Sequence, residues 1–196
     1  MKVKNRIAIV AALALLLTAS LSLTTGPTGL TGPTTVVLTG QAAPGTNGGA
    51  LASVSVPSIN GLGDVAFRSE VAGSTVRNGI FLARGGSVSR IALFGELAPN
   101  GITFSNFGVP ALNDSGQVAF MARLGPGFES QGVFLYSGTS TSTIASTGQN
   151  APGTSGTFGV FGRAAVLLNN GGTIAFDATV KGTTAASGFS STFLES

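Results

Sequence analysis

One phrase, Asn-x-x-Gly-x-(Val/Ile)-Ala-Phe, is written three times in this chain: NGLGDVAF at 60–67, NDSGQVAF at 113–120 and NNGGTIAF at 169–176. The steps between the asparagines are 53 and 56 residues. A second phrase keeps the same step, as GQAAP (40–44), GELAP (95–99) and GQNAP (148–152). A third follows in GIFLA (79–83), GVFLY (132–136) and, more weakly, STFLE (191–195). Three phrases in one order at near-constant spacing mean three units of one design. A period near 50 residues is the signature of propellers and related arrays.

Each unit reads as about four short strands. A lead-in strand enters the Gly-x-x-Ala-Pro phrase: VVLTG (36–40), RIALFG (90–95) and TIASTG (143–148). A second runs into the asparagine: SVSVPSI (53–59), NFGVPAL (106–112) and RAAVLL (163–168). Pro57 and Pro110 hold equivalent places in two of them, which marks a strand end or a sheet edge. The Val-Ala-Phe and Ile-Phe-Leu segments are the third and fourth strands. Beyond the N-terminal leader no segment shows a sustained helical period. The expected fold is all-β, with propeller-like blades in units of about 36–89, 90–142 and 143–196. Hydrophobic residues make up 43% of the chain, too many for disorder, while charged residues are only 9% and glycines number 30, which suits strands joined by tight turns.

The recurring phrase is itself a turn and the start of a core strand. Asparagine first and glycine fourth is the preference of a type I turn, and the asparagine side chain bonds backbone two residues on. Gly63, Gly116 and Gly172 then take positive φ. Alternation along the following strand puts Val65, Phe67, Ser69 and Val71 on one face, matched by Val118, Phe120, Ala122 and Leu124 and by Ile174, Phe176, Ala178 and Val180. The other face begins with Asp64, Gln117 or Thr173 and continues with Ala66, Ala119 or Ala175, small enough for a neighbouring layer to approach. Variable residues between the fixed asparagine and glycine point to a structural corner rather than a ligand set.

Asn60/Gly63/Ala66/Phe67, Asn113/Gly116/Ala119/Phe120 and Asn169/Gly172/Ala175/Phe176 resemble the motif of the choice-of-anchor tandem repeat NxxGxxAF-containing proteins of bacteria. The resemblance covers roughly residues 36–194. It implies an exported, repeat-built β-protein of unknown activity, often held by a C-terminal sorting anchor. This chain stops at Ser196 inside the third unit with no hydrophobic tail, so that anchoring route is in doubt. Three units are few for a ring of about four to eight blades. The count allows an open stack, a pair of copies or a piece of a longer array. If a blade includes the lead-in strand that follows its Ile-Phe-Leu strand, VVLTG could complete the last blade.

The leader, residues 1–22, has a basic start, an apolar run at 7–17 and small residues at Thr18, Ala19 and Ser20, the plan of a secretory signal. The run is shorter than the roughly 20 residues of a membrane span; an uncleaved anchor helix is the other reading, and the only membrane contact expected. Residues 23–35 carry GPT, GLT and GPT, a Gly/Pro/Thr linker rather than a collagen helix, which needs many more triplets. The chain has no cysteine and no histidine, so disulfides, thiolate and zinc sites and the usual triads are absent. The formal charge of +3 comes from Lys2, Lys4 and Arg6 in the leader. Seven basic residues then face seven acids in the body, and a neutral body has no electrostatic footprint for nucleic acid.

Little catalytic chemistry remains. A carboxylate pair runs glycoside hydrolysis, and Arg68 with Glu70, or Arg123 with Asp177 of the next unit, share the polar face of the Val-Ala-Phe strand. No acid recurs at equivalent positions, so solvated ion pairs account for them. NGLGD and NDSG offer oxygens for calcium, but NNGG has no acid, and calcium loops need several. No catalytic, metal or cofactor residue is assigned. The favoured function is a non-catalytic exported scaffold or binding protein, secreted or at the cell surface, whose partners are envelope polysaccharide, a surface protein or a second copy of the chain. A propeller-type hydrolase of extracellular glycans is the alternative. Aromatics outside the core pattern that could stack on sugars are Phe94, Phe104, Phe128 and Tyr136.

Overall fold

The computed structural model describes residues 34–162, 165–182 and 190–195. The leader and most of the linker lie outside them, as do parts of the third unit. Among the described residues there is no helix, and so none long and apolar enough to cross a membrane.

Three antiparallel sheets follow one another along the chain. The first contains β1 (Ala50–Val54), β2 (Ser58–Ile59), β3 (Val65–Ala72), β4 (Asn78–Arg84) and β5 (Ser87–Leu93). The second contains β6 (Phe104–Phe107), β7 (Ala111–Leu112), β8 (Val118–Leu124), β9 (Gln131–Tyr136) and β10 (Thr141–Ser146). The third contains β11 (Thr157–Phe161), β12 (Leu167–Leu168), β13 (Ile174–Lys181) and β14 (Ser190–Glu195). No sheet closes into a barrel among the described residues.

The strand order is the same in each. The strand that starts with the repeated phrase (β3, β8, β13) pairs on one side with two short strands in succession and on the other with the Ile-Phe-Leu strand. β1 and β2 are the two halves of one edge, broken where Pro57 has no N–H to give; β6 and β7 break the same way at Pro110.

The lead-in strands differ from the expected grouping. RIALFG lies in β5 and pairs with β4, and TIASTG lies in β10 and pairs with β9. Each completes the sheet before it, so sheet boundaries fall one strand later than unit boundaries drawn at the lead-in. VVLTG forms no strand at all. Gly40 donates to the carbonyl of Leu51 at 2.7 Å, and Leu51 donates to that of Gln41 at 2.8 Å. This ties the segment to β1, where Val37 packs against the first sheet. β14 pairs with β13 alone among the described strands.

Sheets pack phenylalanine face onto alanine face. Phe104, Phe107, Val118, Phe120 and Phe134 of the second sheet share a core with Ala66, Ile80, Leu82 and Ala92 of the first. Phe158, Phe161, Ile174 and Phe176 of the third share one with Ala119, Val133 and Ala145 of the second. All twelve residues expected on the inner face of β3, β8 and β13 are buried. Each sheet also carries a stacked phenylalanine pair across the strand that begins with the phrase and the Ile-Phe-Leu strand: Phe67 with Phe81, Phe120 with Phe134 and Phe176 with Phe193, all with ring centroids 5.7 Å apart and 23–25° between planes. A buried phenylalanine contributes about 2–3 kcal/mol, so these rings carry much of the stability of a body without disulfides.

Candidate functional site

The two ends of the long strands have opposite character. At one end lie the asparagine turns. Gly63, Gly116 and Gly172 have φ of 82, 76 and 88°, and each donates its N–H to the carbonyl of its asparagine at 3.0–3.1 Å. The asparagine Oδ1 accepts from backbone within its own turn: Asp64 N at 2.9 Å, Gln117 N at 2.9 Å and Thr173 N at 2.8 Å. At Asn60 and Asn113 the amide nitrogen has two partners, one side chain in its own turn (Asp64 Oδ2 at 3.3 Å from Asn60, Gln117 Oε1 at 2.7 Å from Asn113) and the next turn. Asn60 Nδ2 donates to the Asn113 carbonyl at 3.1 Å, and Asn113 Nδ2 to the Asn169 carbonyl at 3.1 Å.

Side chains between the fixed positions add rungs. Asp114 Oδ1 accepts from Gly61 N at 2.6 Å, and Asp114 Oδ2 from Asn170 Nδ2 at 2.6 Å. Asp64 accepts from Arg84 Nε at 2.8 Å. Both turn acids are therefore occupied in holding protein to protein. No group of three or more acid, histidine or cysteine side chains positioned for a metal occurs among the described residues. The side chains of Asn60 and Asn113 thus couple one sheet to the next, and Asn169 receives through its carbonyl.

At the opposite end, where β3 turns into β4 and β8 into β9, the first two sheets bound a cavity of about 510 Å³. Its wall comes from Arg77 in the β3–β4 loop, Phe94 after β5, β6, Arg123 near the end of β8 and Phe128 in the β8–β9 loop. Arg77 Cζ stands 5.2 Å from the centre of the Phe94 ring, and Arg123 Cζ 4.9 Å from that of Phe128. Phe128 is 72% exposed. Thr103, Ser105 and Asn106 supply polar groups, and no Asp or Glu lines the space.

The candidate side chains are distributed unevenly. Phe94, Phe104 and Phe128 all line the cavity, although Phe104 is buried in the core. Tyr136 is elsewhere, its hydroxyl donating to the Gly138 carbonyl at 2.6 Å. Glu70 is ion-paired to Arg68, which also donates to Asn106 Oδ1 across the two sheets at 3.3 Å. Arg123 and Asp177 form no ion pair: the arginine lies over Phe128, and Asp177 accepts from Thr192 Oγ1 at 2.8 Å. Glu96 has a backbone role, its Oε2 capping Leu93 N at 2.9 Å, as the neutral Gln149 caps Ser146 N at 3.1 Å. Sequence reasoning missed Arg77 as a cavity residue. The signal for it was its isolation, since no acid lies within six positions on either side.

Sheets coupled through their turns, with a cavity between the far loops whose wall holds no Asp or Glu, define an all-β protein. In sequence, residues 21–194 match the Family of unknown function (DUF7453), and the chain belongs to that family. No curated protein and no solved structure matches it.

Proposed function

We propose that the chain is a non-catalytic, exported binding scaffold whose three sheets act as propeller-like blades and whose far-loop cavity receives a saccharide chain of the cell envelope. The observation that carries this reading is the cavity between the first two sheets, with aromatic rings, hydroxyls and arginines around it and no carboxylate in its wall. Its volume is in the range of about 300–1,000 Å³ common to small-ligand sites. The shared strand order of the three sheets supports the blade description. The secretory plan of the leader and the resemblance to the NxxGxxAF repeat proteins of bacterial surfaces support export.

A hydrolase acting on glycans would need two carboxyl groups facing one sugar, about 5–10 Å apart. Glu70 is ion-paired to Arg68, Asp177 is bonded to Thr192, and neither lines the cavity. The test is co-sedimentation of the chain with insoluble envelope polysaccharide, followed by an assay for new reducing ends. Retention without turnover is expected. Turnover that disappears in Glu70→Ala or Asp177→Ala would replace the scaffold with the hydrolase.

A further inference from the structure

We infer that the cavity is selective for an acidic saccharide, with Arg77 and Arg123 binding the carboxylates of a uronate chain. The inference rests on the binding reading above and specifies its ligand. It begins from charge accounting. Among the described residues Arg68, Arg84, Arg90 and Lys181 each meet a carboxylate, from Glu70, Asp64, Glu96 and Glu129. Arg77 and Arg123 meet none, and both line this cavity. The two sit on different sheets, so it is the packing of the sheets that brings them to one space.

Their poses suit a planar anion. A guanidinium laid over an aromatic ring keeps its N–H edge free, and that edge matches a carboxylate in bidentate fashion. Phe94 and Phe128 hold the two groups in this way before any ligand arrives, so less side-chain freedom is lost on binding. The remaining polar chemistry is also donor-rich. Asn106 Oδ1 is already taken by Arg68 and by Phe107 N at 2.8 Å, so what this side chain has left to offer is its amide donor. Each hydroxyl of a sugar brings one donor beside its two acceptor lone pairs, and this wall has no carboxylate to accept from it, whereas a uronate adds a carboxylate that only accepts. The exposed Phe128 ring adds an apolar surface for sugar C–H groups. Nucleic acid, the other polyanion, calls for a basic stripe rather than two cations on a neutral body.

The test is isothermal titration of the chain with polygalacturonate and with the same polymer fully methyl-esterified. The acid polymer is expected to bind, and esterification to weaken it about tenfold or more, the value of a charge-assisted contact. Arg77→Gln and Arg123→Gln should each weaken the acid polymer about tenfold on the same basis. Arg84→Gln, at the asparagine end, should leave it unchanged. Unaltered thermal midpoints of the two glutamine variants would show that they fold. Equal affinity for acid and ester would overturn the inference and leave the binding reading standing. Binding of neither polymer would overturn the inference, and the co-sedimentation with envelope polysaccharide then decides whether the binding reading stands. Displacement of the polymer by acetate as effectively as by galacturonate would reduce the site to a small-anion pocket and overturn the saccharide assignment.

Discussion

The asparagine end and the cavity end of the sheets are built from the same strands, yet they use their polar groups in opposite ways. At the asparagine end the sequence recurs, and the side chains bond to protein. Asn113 is 2% exposed, with its Oδ1 bonded to Gln117 N and its amide to Asn169 and Gln117. At the cavity end the loops differ, GSTVR at 73–77 against GPGFES at 125–130, and the two arginines there lack acid partners. Recurrence marks the joint that every unit needs; divergence marks the surface on which one unit can differ from the next.

Substitutions should separate the two ends, most sharply in the core they share. Phe120 touches Phe104, Phe107 and Phe134 between the first two sheets, so Phe120→Ala should cost about 3–5 kcal/mol in urea unfolding. Asn113→Ala should cost about 2–3 kcal/mol, because a buried set of turn and inter-sheet bonds is lost. Asn169→Ala should cost about 1 kcal/mol, since Asn169 is exposed and its amide makes no onward bond among the described residues. Equal losses at the two positions would mean that the bond between turns contributes nothing. Glycines give a finer contrast. A Cβ on Gly132 would lie 2.9 Å from the Ala145 carbonyl oxygen and 3.0 Å from the Phe134 ring, so Gly132→Ala should cost about 1–3 kcal/mol. On Gly127, in the cavity loop, the nearest atom would be 4.0 Å away, and the thermal midpoint should stay put. Arg77→Gln and Arg123→Gln should change stability least, within about 0.5 kcal/mol, while changing what the protein binds.

The inner faces of β3, β8 and β13 were legible because strand alternation and turn chemistry are local. Asn60 fixes the corner, Gly63 closes it, and Val65 and Phe67 must then point the same way. The repeat left open whether RIALFG closes the first unit or opens the second, because a repeat fixes order but not where one unit stops. The bond between turns spans 53 and 56 residues, beyond any local rule. A hint did exist. The backbone bonds of the turn use only the asparagine oxygen, which aspartate or serine would also supply; asparagine at the same place in each unit adds an amide donor. The aromatic side of the cavity was partly legible in Phe94 and Phe128. Its charge was not, since Arg77 and Arg123 meet only when phenylalanine face packs on alanine face.

The acceptor in each rung from asparagine to the next turn is a main-chain carbonyl, which every residue possesses. The receiving turn therefore needs the right shape but no particular side chain, and the residues after the three asparagines differ accordingly as Gly-Leu, Asp-Ser and Asn-Gly. A joint of this kind carries no identity tag. Duplication or exchange of a unit leaves this bond intact without a matching change in its neighbour, and only the Asp114 rungs depend on the pair; a gene encoding such units is free to lengthen, shorten or shuffle them while their far loops drift.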